Sequence, residues 1–337
     1  MKHGPVTRGR RATVRDIAAH TGVSIATVSR VLNDHAHVAA ETRELVLRAV
    51  AELGASRPAA TGAVYLRCPY LLTDYFGLIV SSIAETLDLH GRQLVLNAGE
   101  AAQHVPVLPT LASRPGIAGA IVVLPPEPGA ELVALQADGF PFVLVDPREE
   151  VPRDIAAVSA AHFAGARSLT RHLVELGHRR IGLLAGPDNW LASKARRAGH
   201  NSALAEAGVL PDPALAVAGE PTVRFGYQAA QHLLDLPERP SALVGFNDKA
   251  ASGALAAAAG RGLRVPEDLS VAGFDDIDLA QVTRPMLTTV RQPLQEMGRM
   301  AVSLLIRLLE RHRLDALHVE LATELIVRDS TGPVQPG

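Results

Sequence analysis

Two rhythms of apolar residues divide the 337-residue chain. Up to about residue 54, apolar positions recur at helical spacing in three short stretches; from Ala63 onward, solid apolar runs alternate with longer amphipathic segments. In the first region Thr13 and Asp16 have the form of a capping box, so a helix is predicted from Val14, with Val14, Ile17 and Ala18 on one face. Thr21-Gly22-Val23 ends it, Gly22 permitting the tight backbone. Ser24 then caps a second helix, whose Val28, Val31 and Leu32 face inward while Ile25, Ala26, Thr27, Ser29, Arg30 and Asn33 spread over the other side. A third helix is predicted from about Glu41 to Leu53, with Leu45, Val46, Ala49, Val50 and Leu53 as its stripe and Gly54 as its stop.

Beyond this head, the runs AVYL, QLVLNA, AIVVL, FVLVD, RIGLLAG, SALVGFN and LSVAGFD read as buried parallel strands. Helices predicted over 77–90, 160–176, 191–207, 225–236 and 248–261 alternate with them, and the late stretch TTVRQPLQEMGRMAVSLLIRLLER adds a strand and a long amphipathic helix. The expectation is an all-α helix-turn-helix head followed by a parallel α/β body.

Charge sharpens the division. Residues 1–58 hold nine basic side chains (Lys2, Arg8, Arg10, Arg11, Arg15, Arg30, Arg43, Arg48 and Arg57) against five acids (Asp16, Asp34, Glu41, Glu44 and Glu52), although the whole chain is at −2. A basic head on an acidic body is the footprint of a module that meets phosphates joined to one that does not. A small helical bundle for protein contact is the competing reading. No apolar run approaches the roughly 18 residues of a membrane span, and no apolar segment follows the basic N-terminus. A cytoplasmic, nucleoid-associated protein without membrane contact is therefore expected. The single cysteine, Cys68, permits no internal disulfide and reads as a wall or core residue.

Catalytic and cofactor signatures are missing from the sequence. There is no G-x-G-x-x-G after the first strand, no G-x-x-x-x-G-K-[ST], no G-x-S-x-G and no H-E-x-x-H, so neither an enzyme nor a bound cofactor or metal is expected. His172 and His178 read as surface or capping groups. Ligands of parallel sheets bind beyond the carboxyl ends of strands, where this chain places Asp146, the 187–190 segment, Asn247, Asp248, Asp275 and Asp276. Planar polar groups suit vicinal hydroxyls, and Arg196 can donate two bonds to one edge of a sugar. Helix capping by Asp248 or Asp276, an ion pair for Arg196 and a structural role for Trp190 are the plainer alternatives.

The head segments TVRDIAAHTGVSIATVSRVLN and VAAETRELVLRAVAELG resemble the LacI/GalR family of bacterial transcription regulators. The resemblance implies that Ile25 and Ala26 occupy base-reading positions, that Arg30 reads guanine, and that Thr13, Ser24, Thr27, Ser29 and Asn33 meet phosphates. The family's linker, of the form RPNxxARSLRTGRT, folds into a hinge helix that wedges the minor groove; here Arg57 to Gly62 runs straight into the first strand, and the Ala-Arg-Ser-Leu segment is absent.

The resemblance continues through ELGHRRIGLLAGP, SKARRAGHNSAL, PSALVGFNDKAASGAL, RGLRVPEDLSVAGFDDIDLA and RPMLTTVRQPLQEMG. It implies a two-lobed, periplasmic-binding-protein-like body with effector contacts at Asp146, Arg196, Asn247, Asp275 and Gln292. Tyr75 matches the family's NPYF region near the cleft, and Trp190 stands beside it as a plate for a sugar face. The domains expected are a head over 1–58, a short linker over 59–62 and a body over 63–331. Lobe one is expected at about 63–156 and 287–318, lobe two at about 157–286 and 319–331. The function implied is that of a homodimeric repressor on a pseudo-palindromic double-stranded operator, controlled by a small saccharide. The alternatives are a purine or phosphorylated metabolite as effector, or a sugar sensor whose operator binding is weakened.

Overall fold

The computed structural model describes residues 14–32, 38–52, 62–310, 312, 314 and 316–335. Thr13, Asn33 and residues 53–61, with the linker's 59–61, lie outside the described residues. The chain divides into two units, Met1–Thr61 and Gly62–Gly337.

The head is α1 (Val14–Thr21), α2 (Ile25–Leu32) and α3 (Ala40–Glu52). Its core is Ile17, Val28, Val31, Val46 and Ala49, with Ala18, Val23 and Val38 packed against it. Gly22 supplies the turn at φ +69, and the Ser24 hydroxyl accepts the Thr27 N–H at 3.2 Å as the cap of α2. Among the described residues of the predicted α3 stripe, Leu45 falls elsewhere: it is 45% exposed, because Val46 and Ala49 set the phase of the helix.

The body begins with β1 (Ala63–Cys68), α4 (Asp74–Leu89), β2 (Leu94–Ala98), α5 (Leu108–Leu111), β3 (Ile117–Val123), α6 (Gly129–Ala137), β4 (Phe142–Val145) and β5 (Ala156–Ala160). It continues with α7 (His162–Glu175), β6 (Ile181–Ala185), α8 (Leu191–Glu206), β7 (Ala216–Ala218), α9 (Val223–Leu234), β8 (Ala242–Gly245), α10 (Asp248–Gly260), β9 (Ser270–Ala272) and α11 (Leu279–Val282). The chain then returns through β10 (Thr289–Arg291), α12 (Leu294–Leu309), β11 (His318–Leu321) and β12 (Glu324–Ile326).

Lobe one is a parallel sheet in the order β11-β5-β4-β3-β1-β2, and lobe two one in the order β7-β6-β8-β9. Helices cover both faces of each, so solid apolar strands are buried on both sides. In lobe one, α4 and α12 close a core containing Val64, Leu66, Ile79, Ile83, Met297 and Val302, and Leu108, Leu132 and Leu135 cover the other face. Cys68 lies in the first of these cores, and burial pushes its thiol up to about 12.

The lobe boundaries differ from those expected. Residues 156–160 form β5 inside the lobe-one sheet, so the first crossing falls at Ala161; β11 pairs with β5, so the last falls after Leu321. Residues 287–291 side with lobe two, since Thr288 accepts from the Gly273 amide and Val290 from that of Asp275. Lobe one therefore resumes near Gln292 rather than at residue 287. AAVSA is alanine-rich and gives little strand signal by itself.

In lobe two α9 and α10 touch backbone to backbone. A Cβ on Gly226 would stand 2.0 Å from the Ala250 carbonyl oxygen, and one on Gly253 2.2 Å from that of Val223. Gly226→Ala gains about 1 kcal/mol of helix propensity, but the overpacking costs roughly 1–3 kcal/mol or more. Urea unfolding of the variant is expected to show net destabilisation; a stabilised protein would mean the helices can separate without cost.

Candidate functional site

On the head, α2 presents Ile25 at 52% exposure, with Ala26 and Arg30 also exposed and Thr27 and Ser29 half-buried. The apolar Val28 and Val31 fix which side faces outward. An exposed helix face with an arginine fork one turn from its start has the geometry of a major-groove reader. Of the phosphate positions expected, Ser24, Thr27 and Ser29 are on or beside this face, and Thr13 and Asn33 lie outside the described residues.

In the body, polar residues gather where strands end between the lobes. Asp146, following β4, and Asp275, beyond β9, both take left-handed backbone, at φ 52 and 115. Such strain in non-glycine residues persists where surrounding structure holds it, commonly at ligand sites. Asp146 accepts from the Tyr75 hydroxyl at 3.0 Å and lies 2.7 Å from His162 Nε2. Arg196 donates from Nε to His162 Nδ1 at 3.4 Å, leaving Nε2 to face Asp146.

The Arg196 guanidinium also donates to the Phe246 carbonyl and stands 3.7 Å from Asp275, with its Cζ 4.3 Å and 3.8 Å from the Phe246 and Phe274 ring centres. Gln292 Nε2 completes the chain, donating to Asp275 at 2.6 Å. Asp146, His162, Arg196, Asp275 and Gln292 are all buried, and the Gln292 Oε1 has no partner among the described residues. A cavity of 480 Å³ opens on Asp146 and His162 and is also lined by Glu150, Leu191, Ala192 and His318. Its volume lies within the ordinary range for small-molecule sites.

Burial drives the electrostatics. Desolvation pushes the Asp146 carboxyl up, but His162 and Arg196 beside it more than offset this and hold it below its ordinary value. Asp275 rises to about 6, because desolvation outweighs Arg196 and Gln292. Tyr75 is raised by burial and by Asp146. A polar chain that both donates and accepts, with aromatic plates alongside, is suited to hydroxyl-rich ligands.

Other expected residues are placed differently. Asn247 caps α10, accepting the Ala250 N–H at 2.9 Å and donating to the Pro221 carbonyl at 3.3 Å, so it stands beside the chain rather than in it. Asp248 is fully buried and accepts from the Ile277 N–H and the Thr289 hydroxyl, fixing the loop that carries Asp275 and Asp276. Trp190 meets Phe246 edge-on at 6.2 Å. His162, a member of the polar chain not among the residues expected, follows β5, a strand with little signal in the sequence. His178 is not a surface group: it is 2% exposed and joins Ser241, Ser270 and the Gly332 carbonyl.

His200, buried beside Thr170, is held down to about 4 by desolvation. The unfolded chain protonates it near 6.5, so its contribution to stability is present above that pH and is lost as pH falls toward 4. Asp275 acts oppositely, its contribution being lost as pH rises from 3.8 to about 6. Urea unfolding of the full chain is expected to show His200→Gln removing up to about 3 kcal/mol of acid sensitivity between pH 6.5 and 4. An unchanged pH slope would contradict a buried neutral His200.

A helix-turn-helix head and a two-lobed parallel α/β body with a polar interlobe cleft define a ligand-responsive DNA-binding regulator. Residues 13–55 match the model for bacterial regulatory proteins of the lacI family, and residues 170–331 that for the periplasmic binding protein-like domain. The HTH-type transcriptional repressor CytR of Escherichia coli (strain K12) is 33% identical over 333 residues, covering 95% of this chain and 96% of CytR. The transcriptional regulator CelR–cellobiose complex is similar at a TM-score of 0.73 and 32% identity, covering 95% of this chain and 100% of that one. The lac repressor dimer bound to operator and the anti-inducer ONPF is similar at 0.72 and 29%, covering 96% and 100%. The chain belongs to the LacI family and is a transcriptional repressor of the CytR/PurR-like kind. Its relatives are regulators rather than enzymes, and among the described residues no helix is long and apolar enough to cross a membrane.

Proposed function

We propose that this repressor binds a pseudo-palindromic operator as a homodimer and that a small saccharide between the lobes controls its affinity. The observation that carries the reading is the buried polar chain Tyr75–Asp146–His162–Arg196–Asp275–Gln292, which runs between the lobes at strand ends. Asp146 and Asp275 accept from vicinal hydroxyls, Arg196 donates along one edge of the ring, and Gln292 Oε1 accepts from a further hydroxyl. Trp190 and Tyr75 cover apolar ring faces. Asn247 contacts the effector from its place at the start of α10. The CelR neighbour, a cellobiose complex, supports a saccharide, and the operator-bound lac repressor dimer supports two heads on one duplex.

On the DNA, Arg30 reads guanine, Ile25 and Ala26 make apolar contacts to bases, and Thr13, Ser24, Thr27, Ser29 and Asn33 hold phosphates. A saccharide acts only through its differential affinity for two lobe arrangements, each setting a different separation of the heads. A thermal-shift panel of mono- and oligosaccharides, including cellobiose, tests the effector class. A true effector at 100 times its Kd adds about 2.7 kcal/mol of stability. A shift with purines or phosphorylated metabolites and none with saccharides would overturn the sugar reading.

A further inference from the structure

We propose that Arg148 is a positioning residue that holds Trp190 across the cleft and thereby latches lobe two onto lobe one; its role in effector control rests on the reading above. Arg148 lies in the lobe-one loop after β4, whereas Trp190 immediately precedes α8 of lobe two. The Arg148 Cζ is 4.8 Å from the centre of the Trp190 ring and 5.4 Å from that of Tyr70. Its guanidinium donates to the Tyr70 hydroxyl, which in turn donates to the Leu124 carbonyl at 2.7 Å. Tyr70 itself is stacked on Phe76 at 4.4 Å and 5°, so the arginine is mounted on a rigid aromatic shelf of lobe one.

The backbone makes the same connection, since the Leu191 N–H donates to the Arg148 carbonyl at 2.7 Å. The indole also packs against the lobe-one core, although its chain segment belongs to lobe two. These contacts join the two lobes without a covalent crossing, on the same side as the crossing at Ala161, where His162 meets Asp146. A non-covalent contact between the lobes adds to the free energy of the arrangement in which it forms and so biases opening, while the crossings only permit it. Arginine suits this position because its flat guanidinium can face a ring and bond a hydroxyl at once, which an ammonium cannot do equally well. Arg148 Nε is buried and has no partner among the described residues, so loss of the guanidinium strands no acceptor at that atom.

The chain's one tryptophan makes the latch directly observable. Acrylamide quenching and the emission maximum of Trp190 are measured in full-length wild type, Arg148→Ala, Arg148→Lys and Tyr70→Phe, with no ligand added. Arg171→Ala, at an exposed pair with Glu175, serves as the distant control. Contacts of this type bias an equilibrium by roughly 2- to 30-fold. Arg148→Ala is therefore expected to raise quenching at least about twofold with a red shift, at unchanged far-ultraviolet dichroism. Arg148→Lys follows it, Tyr70→Phe moves part of the way and Arg171→Ala stays at the wild-type value. Equal quenching in wild type and Arg148→Ala would overturn the proposal. If Arg148→Ala does not fold, wild-type quenching in both Arg148→Lys and Tyr70→Phe would overturn it instead. The outcome is independent of the saccharide panel, so either reading can fail without the other.

Discussion

Arg196→Ala is expected to abolish the effector response and to weaken the body at the same time. Its guanidinium is the cation shared by His162, Asp275 and the Phe246 carbonyl, all buried with it. Removing one partner of a buried charged pair costs about 3–5 kcal/mol, most of it from the carboxylate left behind. Loss of a desolvated charged contact to the ligand lowers affinity by roughly 30-fold to several thousand-fold. Arg196→Lys keeps the charge without the fork, and is expected to regain stability but not the response. Urea unfolding and a saccharide titration, run on both variants, separate these effects. Near-wild-type values for Arg196→Ala in both assays would remove Arg196 from the site.

The second large effect is expected on DNA. Arg30 is exposed on α2 one turn beyond Ile25 and Ala26, and the proposed function sets it against a guanine edge. Losing a bidentate guanine contact costs roughly 1–3 kcal/mol in each half-site, so Arg30→Ala in a dimer should lower operator affinity by about 30-fold to 10⁴-fold. Discrimination at that base pair should relax as well. Ser24→Ala, by contrast, should weaken all sequences alike, through the α2 cap and a phosphate contact. Competition binding at one fixed salt concentration checks both, because non-specific affinity moves steeply with salt. Uniform weakening by Arg30→Ala would reassign it to a phosphate.

Much of this was legible in the chain because local signals agreed. The capping sequence, Gly22 and the 3.6-residue apolar spacing mark the head's helices, and the β-branched and leucine-rich runs mark the strands of both sheets. Strands that escaped are weak locally: β5 has three alanines in its five residues, while β7 and β12 have three residues each and depend on partners distant in sequence. That weakness displaced the lobe boundaries and hid His162, which becomes a bridge only when the crossing at Ala161 brings it between Asp146 and Arg196. Arg148 escaped for a similar reason, since nothing in its neighbours announces an indole from the other lobe. Asn247 shows the reverse: a polar residue at a strand end also makes a good helix cap, and sequence does not rank the two roles.

The central claim is that a saccharide in the cleft controls operator binding by paired heads. It is tested most directly by nuclease footprinting of the DNA upstream of this gene, with and without the saccharides that shift the protein's melting. The account predicts protection of a pseudo-palindrome, two half-sites with a guanine contacted in each, whose occupancy changes as saccharide is added. Protection that saccharide leaves unchanged, or no discrete footprint at moderate salt in either condition, would contradict it.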